Sequence, residues 1–588
     1  MTRLVPAGAP RGGGTGGGGR GGSARRPSRR RAARDVAAVR RTLDGRVRLL
    51  RIGFVVAFLL IGGKAVALTV TDSHLAAIAR EQQVRTIVLP SHRGAIVDRN
   101  GVDFAVSQAA KTVYATPYML GDPLTAAREL AAALKIKWRP LYRAIDDPKS
   151  GFAYVERQAD PTLADRATAL GLPGVGSYVE EKRVYPLDSA AAQVVGYAGT
   201  DGHGLAGMEY RYDRELAGKA GRQVVVEDPA GQALRTIQSA SPVPGEDVRL
   251  TIDSGIQLVA DSVLADTVRR FHAKGGTAIV ENPRTGEIYA LSNVPLLNAN
   301  HFGSVPRDQG NQAVIYTYEP GSTFKMVTIA GALSDGIVSP GTSFLLPPAL
   351  EVGDRVVHDA ESRGTERMTV RKILEVSSNI GAVTIGERLG KDRLLDWIHR
   401  FGFGRLTGID FPGEVPGFVL PADQWWSSTI GNVPMGQGIS VTPIQMVAAY
   451  GAIANGGVMM TPHLTAQIGT HAIRPGARRR IVSAKVAAEL RVMLSDVVAD
   501  GTGVEAQIPG YVVAGKTGTA QKALPNGLGY SKVDFVASFI GMVPARDPQL
   551  VVAVVVDEPK PDYWGGHVAA PAFRQIASYA LQRLEIAP

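Results

Sequence analysis

The second half of this 588-residue chain predicts an α+β fold, an antiparallel sheet covered by terminal helices. Three observations carry that expectation. Thr277 to Val280 and Ile288 to Leu291 are apolar runs either side of the turn Asn282-Pro283-Arg284-Thr285-Gly286, which reads as a hairpin. Phe535 to Val543 and Leu550 to Val556 read as two more buried strands, and a strand around Lys516 joins them. Ile256, Val259, Val263, Leu264 and Val268 recur at helical spacing behind Asp253, a candidate N-cap, while Phe573, Ile576, Tyr579, Ala580 and Leu584 mark a closing helix.

The chain is long enough for more than one core, and its first part differs in kind. Residues 1–48 hold 13 arginines against two acids, Asp35 and Asp44, a surplus that equals the net charge of +11 for the whole chain. Gly12 to Gly14 and Gly16 to Gly19 lie in that stretch, so it reads as a disordered basic tail. With the tail set aside no basic face remains, which argues against nucleic acid. Residues 49–70 are expected to span a membrane: Ile52 to Val70 is apolar apart from Lys64, and 19 residues at about 1.5 Å each cover roughly one hydrocarbon core. Arg46, Arg48 and Arg51 on its N-terminal side place the tail in the cytoplasm and the remainder outside. Ala65-Val66-Ala67 also fits a small-residue cleavage site, so removal as a signal peptide stays an alternative. The chain has no cysteine, which excludes lipoprotein processing, disulfides and thiolate metal sites, and its ten histidines form no H-E-x-x-H pattern. No metal and no cofactor are expected.

The exported part divides near Ser239-Ala240-Ser241-Pro242-Val243-Pro244-Gly245, which reads as a linker, giving expected domains 71–245 and 246–588. Upstream, strand-like Val224 to Val226 mixes with helical pieces such as Leu163 to Leu170, and no motif there supplies a nucleophile with its base. Downstream, three short patterns occur in order: Ser322-Thr323-Phe324-Lys325, Ser377-Ser378-Asn379 and Lys516-Thr517-Gly518-Thr519. Glu319-Pro320-Gly321 is a turn and Thr323 to Leu333 reads as a helix. Ser322 is therefore expected at a helix N-terminus, with Lys325 one turn on, where the positive helix end favours a neutral amine able to deprotonate the hydroxyl. Ser377 and Asn379 follow the amphipathic helix Val370 to Val376. Alternation directs both one way, with Ser378 turned aside, so a hydroxyl can relay a proton and an amide can hold a substrate backbone. Tyr511 to Ala514 reads as a strand leading to Lys516, which offers a charge, to Thr517 and Thr519, which offer hydroxyls to a carboxylate, and to Gly518, which leaves room for close approach. Each pattern alone is more often a cap, a polar helix end or a charged edge strand; together they supply the parts of serine acyl transfer.

Gly510-Tyr511-Val512-Val513-Ala514-Gly515-Lys516-Thr517 also matches a phosphate-binding loop letter for letter, with Val551 to Val556 and Asp557-Glu558 as the companion strand. Context opposes it. The apolar run lies inside the loop, and Gly518, Pro525, Asn526, Gly527 and Gly529 follow where a helix is required.

As a set, these residues resemble the penicillin-binding protein family. Ser377 lies 55 residues after Ser322, and Lys516 lies 139 after Ser377. Met435-Gly436-Gln437-Gly438 with Val441-Thr442-Pro443-Ile444-Gln445-Met446 resembles a further family motif, in which Thr442, Pro443 and Gln445 form a capping box. Arg93-Gly94-Ala95-Ile96-Val97-Asp98-Arg99-Asn100-Gly101, Arg183-Val184-Tyr185-Pro186 and Gly204-Leu205-Ala206-Gly207-Met208-Glu209 resemble the elongated, non-catalytic pedestal (dimerisation-type) domain of class B members. The resemblance covers residues 86 to 588. Two departures stand out: Asp188 where glycine is common, and Asn311-Gln312-Ala313 for Asn-Arg-Ala.

The resemblance implies a transpeptidase domain with a helical subdomain, and a peptidoglycan D,D-transpeptidase anchored by one helix in a bacterial cell membrane. It implies that Ser322 attacks a stem peptide ending in D-Ala-D-Ala, Lys325 takes the proton, Ser377 and Asn379 relay and position, and Lys516, Thr517, Gly518 and Thr519 hold the carboxylate. Amides of Ser322 and Thr519 would form the oxyanion hole. β-Lactams would acylate Ser322. The modest pedestal, the arginine-rich tail and the absence of an added C-terminal module lean towards the FtsI-like division type, working in septal wall synthesis with an FtsW-like glycosyltransferase and other division proteins; an elongation role is the alternative. Two rivals use the same motifs. A β-lactamase would need a second base, and Glu414 in Phe411-Pro412-Gly413-Glu414-Val415-Pro416-Gly417 lies at a suggestive distance but in a surface turn; the other rival is a catalytically silent sensor or scaffold.

Overall fold

The computed structural model describes residues 45–69, 84–227, 233–304, 310–474, 476–524 and 529–588. The expected tail up to residue 44, the junction 70–83 and Pro525 to Gly527 lie outside them. Of the described residues, 45–69, 84–87, 224–227 and 233–238 form one unit and the rest another. In the first, α1 (Gly45–Thr69) is fully exposed and long and apolar enough to cross a membrane, beginning four residues before the span expected from sequence.

In the second unit, the chain after residue 95 runs through β1 (Ile96–Val97), β2 (Asp103–Ala115), α2 (Pro123–Leu134), α3 (Trp138–Ile145), β3 (Ala153–Ala159), α4 (Pro161–Thr168) and β4 (Val175–Val184). β2 pairs antiparallel with β1, β3 and β4, and Leu130, Leu134, Leu141 and Ile145 fill a small core against it. Asp122 and Asp160 cap α2 and α4, each followed by proline at the first helical position. The three motif stretches of this region converge on one buried ion network. Glu209 is fully buried and accepts from Arg93 at 2.6 Å and Arg183 at 2.6 Å, while Arg93 also reaches Asp213 at 2.7 Å. Burial alone would lower the Arg93 pKa, but Glu209 and Asp213 outweigh it and the guanidinium is raised.

The segment expected to be a linker is built into the fold. Ser239 and Ala240 end a strand, Val243 bridges Lys219, and Gly245 packs so closely on Leu216 that a Cβ would stand 1.7 Å from its carbonyl oxygen. Next, β5 (Val248–Leu250) pairs in parallel with β1 and antiparallel with a strand at Thr465–Ile468, so one sheet joins the pedestal to the downstream domain. Composition marks a boundary there, but backbone pairing crosses it.

The downstream domain contains α5 (Ser254–Arg270), β6 (Gly275–Glu281), β7 (Ile288–Val294), α6 (Lys325–Ser334), α7 (Val370–Glu375), α8 (Asn379–Leu389), α9 (Pro443–Ala454), α10 (Ala484–Ala499), β8 (Ala514–Ala523), β9 (Tyr530–Val543), β10 (Leu550–Asp557) and α11 (Gly565–Arg583). Its sheet has the order β7-β6-β10-β9-β8, antiparallel throughout. The outer face packs on α5 and α11 through Ile256, Leu264, Phe573 and Ile576. The inner face packs on α9 and α10 through Ile444, Tyr450 and Leu494, and α6 shares that core through Val327. This is the expected α+β architecture, with the Asp253 cap, the hairpin of β6 and β7 and the two strands read from 535–543 and 550–556 in place, the last two paired antiparallel. The capping box is also present: Thr442 accepts from the Gln445 amide and Gln445 from the Thr442 amide. Burying every residue of α9 puts that helix at the centre of the domain.

Asp188 has φ +50°, a conformation that favours glycine, and its carboxylate accepts from Asn298 and Asn300. Those bonds offset the strain of the departure from the family pattern.

Candidate active site

Gly321–Phe324 forms a 3-10 turn ahead of α6, so Ser322 lies inside that turn and not at the expected α-helix N-terminus. The reason is a close backbone approach. The Gly321 amide donates to Gly436 O at 2.9 Å, and a Cβ on Gly436, at φ +84°, would stand 2.1 Å from the Gly321 oxygen. The Met435-Gly436 motif thereby braces the turn that presents Ser322. From the other side, a Cβ on Gly518 would stand 2.3 Å from Ser538 Oγ and 3.0 Å from Thr323 Cγ2, so glycine there seats β8 against the same turn. Tyr450 OH, fully buried on α9, donates to Thr323 O at 2.8 Å.

One turn on, Lys325 is fully buried. Its Nζ donates to Ser377 O at 2.6 Å and Asn379 Oδ1 at 2.7 Å, with Ser377 Oγ at 3.4 Å. Burial pulls its pKa down to about 7; the nearby Asp359 opposes this and Arg363 reinforces it. The neutral amine was expected from the helix dipole, but desolvation is the larger cause.

Ser377 meets Lys325 by a device the sequence reading lacked. α7 ends in a Schellman motif: the Ser377 amide donates to Leu374 O at 3.2 Å and the Ser378 amide to Ile373 O at 2.9 Å. Ser377 occupies the left-handed position at φ +61°, normally taken by glycine, at a cost of about 1–2 kcal/mol. Ser378 then caps α8, accepting from Gly381 N and donating to Asp359. Asp359 also accepts from the amides of Asn379 at 2.6 Å and Ile380 at 3.0 Å, which fixes the start of α8. Ser377 and Asn379 do face one way and Ser378 the other, through this cap and not through strand alternation. Asn379 Nδ2 donates to His358 O, so both ends of the amide are held within the protein.

Gly515 and Lys516 lie inside β8, which starts at Ala514, later than the strand read from Tyr511; no helix begins at the lysine, and the phosphate-loop reading fails. β8 is an edge strand, leaving one side free. Lys516 is fully buried, with Nζ donating to Thr517 O and Thr517 Oγ1 at 3.2 Å each. Burial and Lys325 push its pKa well down.

A cavity of about 430 Å³ gathers Ser322, Ser377, Asn379, Thr517 and Thr519, with Lys325 and Lys516 buried behind its wall. Asp359, Arg363, Thr502, Trp564 and His567 also line it, and sequence reasoning named none of them. They come from loops and from the start of α11, without a motif to mark them. Thr502 pairs its hydroxyl with that of Thr517 at 2.6 Å, and Thr519 Oγ1 accepts from Gly565 N at 3.0 Å. The Glu414 carboxylate is occupied by Thr407 and Gly408 and does not line the cavity.

Two family models match the chain: the penicillin binding protein transpeptidase domain over residues 276–578 and the penicillin-binding protein dimerisation domain over 88–250. Stage V sporulation protein D of Bacillus subtilis is 35% identical over 534 residues, covering 88% of this chain and 82% of that protein. Peptidoglycan D,D-transpeptidase FtsI of Escherichia coli is 31% identical over 517 residues, covering 87% and 86%. A crystal structure of penicillin-binding protein 3 from Mycobacterium tuberculosis, complexed with aztreonam, superposes with a TM-score of 0.68 at 31% identity, covering 85% of this chain and 98% of that one. The chain belongs to the class B penicillin-binding proteins and is a peptidoglycan D,D-transpeptidase of the serine acyl-transfer type.

Proposed function

We propose that Ser322 is the nucleophile of this transpeptidase and that the buried Lys325 is its base, in septal wall synthesis. The observation that supports it best is a lysine held near neutrality by burial, one turn from a serine that opens onto the cleft. Ser322 Oγ attacks the carbonyl of the penultimate D-Ala and its proton passes to Lys325 Nζ. The peptide C–N bond breaks, and the terminal D-Ala leaves with a proton delivered through the Ser377 hydroxyl. An amine of a second stem then attacks the ester, forming the cross-link and returning Ser322 to its hydroxyl. Asn379 is a positioning residue, holding Lys325 from Oδ1. Amides of Ser322 and Thr519 receive the oxyanion, a contribution of about 3–4 kcal/mol in comparable sites. Thr517 and Thr519 hold the substrate carboxylate, with Gly518 giving the room and Lys516 acting from behind Thr517.

β-Lactams, which acylate such serines, are inhibitors in this reading. Fluorescent penicillin labels the wild-type protein, and Ser322→Ala abolishes the label; labelling that persists refutes the assignment. Arg46, Arg48 and Arg51 in the first turns of α1 keep the N-terminus cytoplasmic and the catalytic domain outside, with α1 as a retained anchor. The likeness to FtsI over most of the chain favours the division role beside an FtsW-like glycosyltransferase. Depletion then gives filaments without septa; widened cells would identify elongation instead.

A further inference from the structure

Away from the catalytic cleft, a groove of about 430 Å³ lies between the C-terminal end of α8 and the segment 425–430, lined by Glu387, Lys391, Trp425, Trp426, Ser427 and Ile430. Trp426 is 80% exposed, an unusual state for the largest apolar side chain. Trp425 is held in place, its Nε1–H donating to Leu420 O at 2.8 Å, and Lys391 Nζ donates to Ala422 O at 3.3 Å. Aromatic faces bordered by a carboxylate, an ammonium and a hydroxyl suit an uncharged, polyhydroxylated ligand better than a lipid or an ion.

Two elements tie this groove to the cleft. α8 begins at Asn379, the Lys325 partner, and Glu387 and Gly390 at its far end border the groove, roughly 12–16 Å along the axis. The segment from Trp425 runs through Asn432 to Gly436, which braces the Ser322 turn. It is packed tightly on α8: a Cβ on Gly386 would stand 2.3 Å from Pro434 Cγ, and Thr328 Oγ1 on α6 donates to Pro434 O at 2.9 Å. The spacing between cleft and groove is thus rigid. An extended pentapeptide spans about 17 Å, a length that matches the roughly 12–16 Å that α8 puts between Asn379 and the groove.

We propose that the Trp425–Trp426 groove binds the glycan strand of the donor substrate, stacking an amino-sugar ring on Trp426. The proposal rests on Ser322 being the acylated residue. The test uses the full-length protein in detergent with two donors: an uncrosslinked glycan polymer bearing pentapeptide stems, and the free pentapeptide. In Trp426→Ala, KM for the glycan-borne donor rises about fivefold or more, in line with one lost aromatic contact, kcat holds, and KM for the free peptide is unchanged; Trp426→Phe restores most of the difference. Binding of N-acetylchitotetraose, measured by calorimetry, weakens in parallel. An unchanged ratio of the two KM values overturns the proposal, and an unchanged ratio with impaired growth of cells carrying Trp426→Ala assigns the groove to a protein partner instead. A folding defect would slow penicillin acylation, in which case Trp426→Phe decides. If both donors still acylate Ser322→Ala, the Ser322 assignment has failed and not the glycan site, which the two KM values continue to test.

Discussion

The pedestal and the candidate active-site cleft both bury cations, and they treat them in opposite ways. In the pedestal, Arg93 and Arg183 are matched by Glu209 and Asp213 at 2.6–2.7 Å, and the Arg93 pKa is raised. In the cleft, Lys325 and Lys516 are buried among carbonyls, an amide and hydroxyls, and both pKa values are lowered. Pairing fixes a charge in place and serves structure. Burial without a bonded carboxylate leaves an amine that can take up and release a proton, at a cost in stability that the surrounding fold must carry.

The largest expected effect comes from removing the unpaired amine. Lys325→Met lowers the rate of penicillin acylation about 10³-fold, within the range of general-base catalysis, while the thermal midpoint holds or rises; a falling midpoint would show that the lysine is structural. Breaking the paired network should do the reverse. Glu209→Ala strips Arg183 of its carboxylate and leaves Arg93 with Asp213 alone, at a cost of about 3–5 kcal/mol in urea unfolding, with acylation per folded molecule unchanged. Comparable losses of activity and stability in both variants would dissolve the contrast.

Proton titration sharpens it. Since Lys325 titrates at about 7 in the folded protein, acylation falls by about tenfold per pH unit below that value, as a single proton loads the base. The folded value lies below the unfolded one. The stability cost of burying this lysine is therefore full below pH 7 and fades as pH rises towards 10.5. Arg93 remains charged across this range, so the pedestal gives no such slope. A flat acylation profile between pH 5 and 7 would remove Lys325 as the base. The smallest effect concerns backbone strain. Ser377→Gly relieves the left-handed serine and stabilises the protein by about 1 kcal/mol, yet slows acylation by loss of the hydroxyl. A destabilised Ser377→Gly would mean that the serine side chain holds the loop more than it strains it.

The hairpin of β6 and β7, the Asp253 cap and the capping box at Thr442 were legible because each depends on residues close in sequence. Lys325 and Ser322 were readable as a pair for the same reason, being one turn apart. The cap of α8 was not. Asp359 lies 19 residues before Ser378 in a loop without a motif, and only the folded chain sets its carboxylate on the helix amides. Nor did Gly436 announce its reason, which is a backbone contact with a residue 115 positions away.

By itself, the amino-acid sequence determined the order of the elements, the membrane-spanning length of α1 and the residue types of the acyl-transfer chemistry, because periodicity, capping and motif spacing are local. Tertiary structure alone decided that Lys325 is dry, that Lys516 stands behind Thr517 and that Ser377 turns left-handed to meet the lysine. Those properties depend on which surfaces lose water when distant segments close on one another, and desolvation cannot be read from neighbours along the chain.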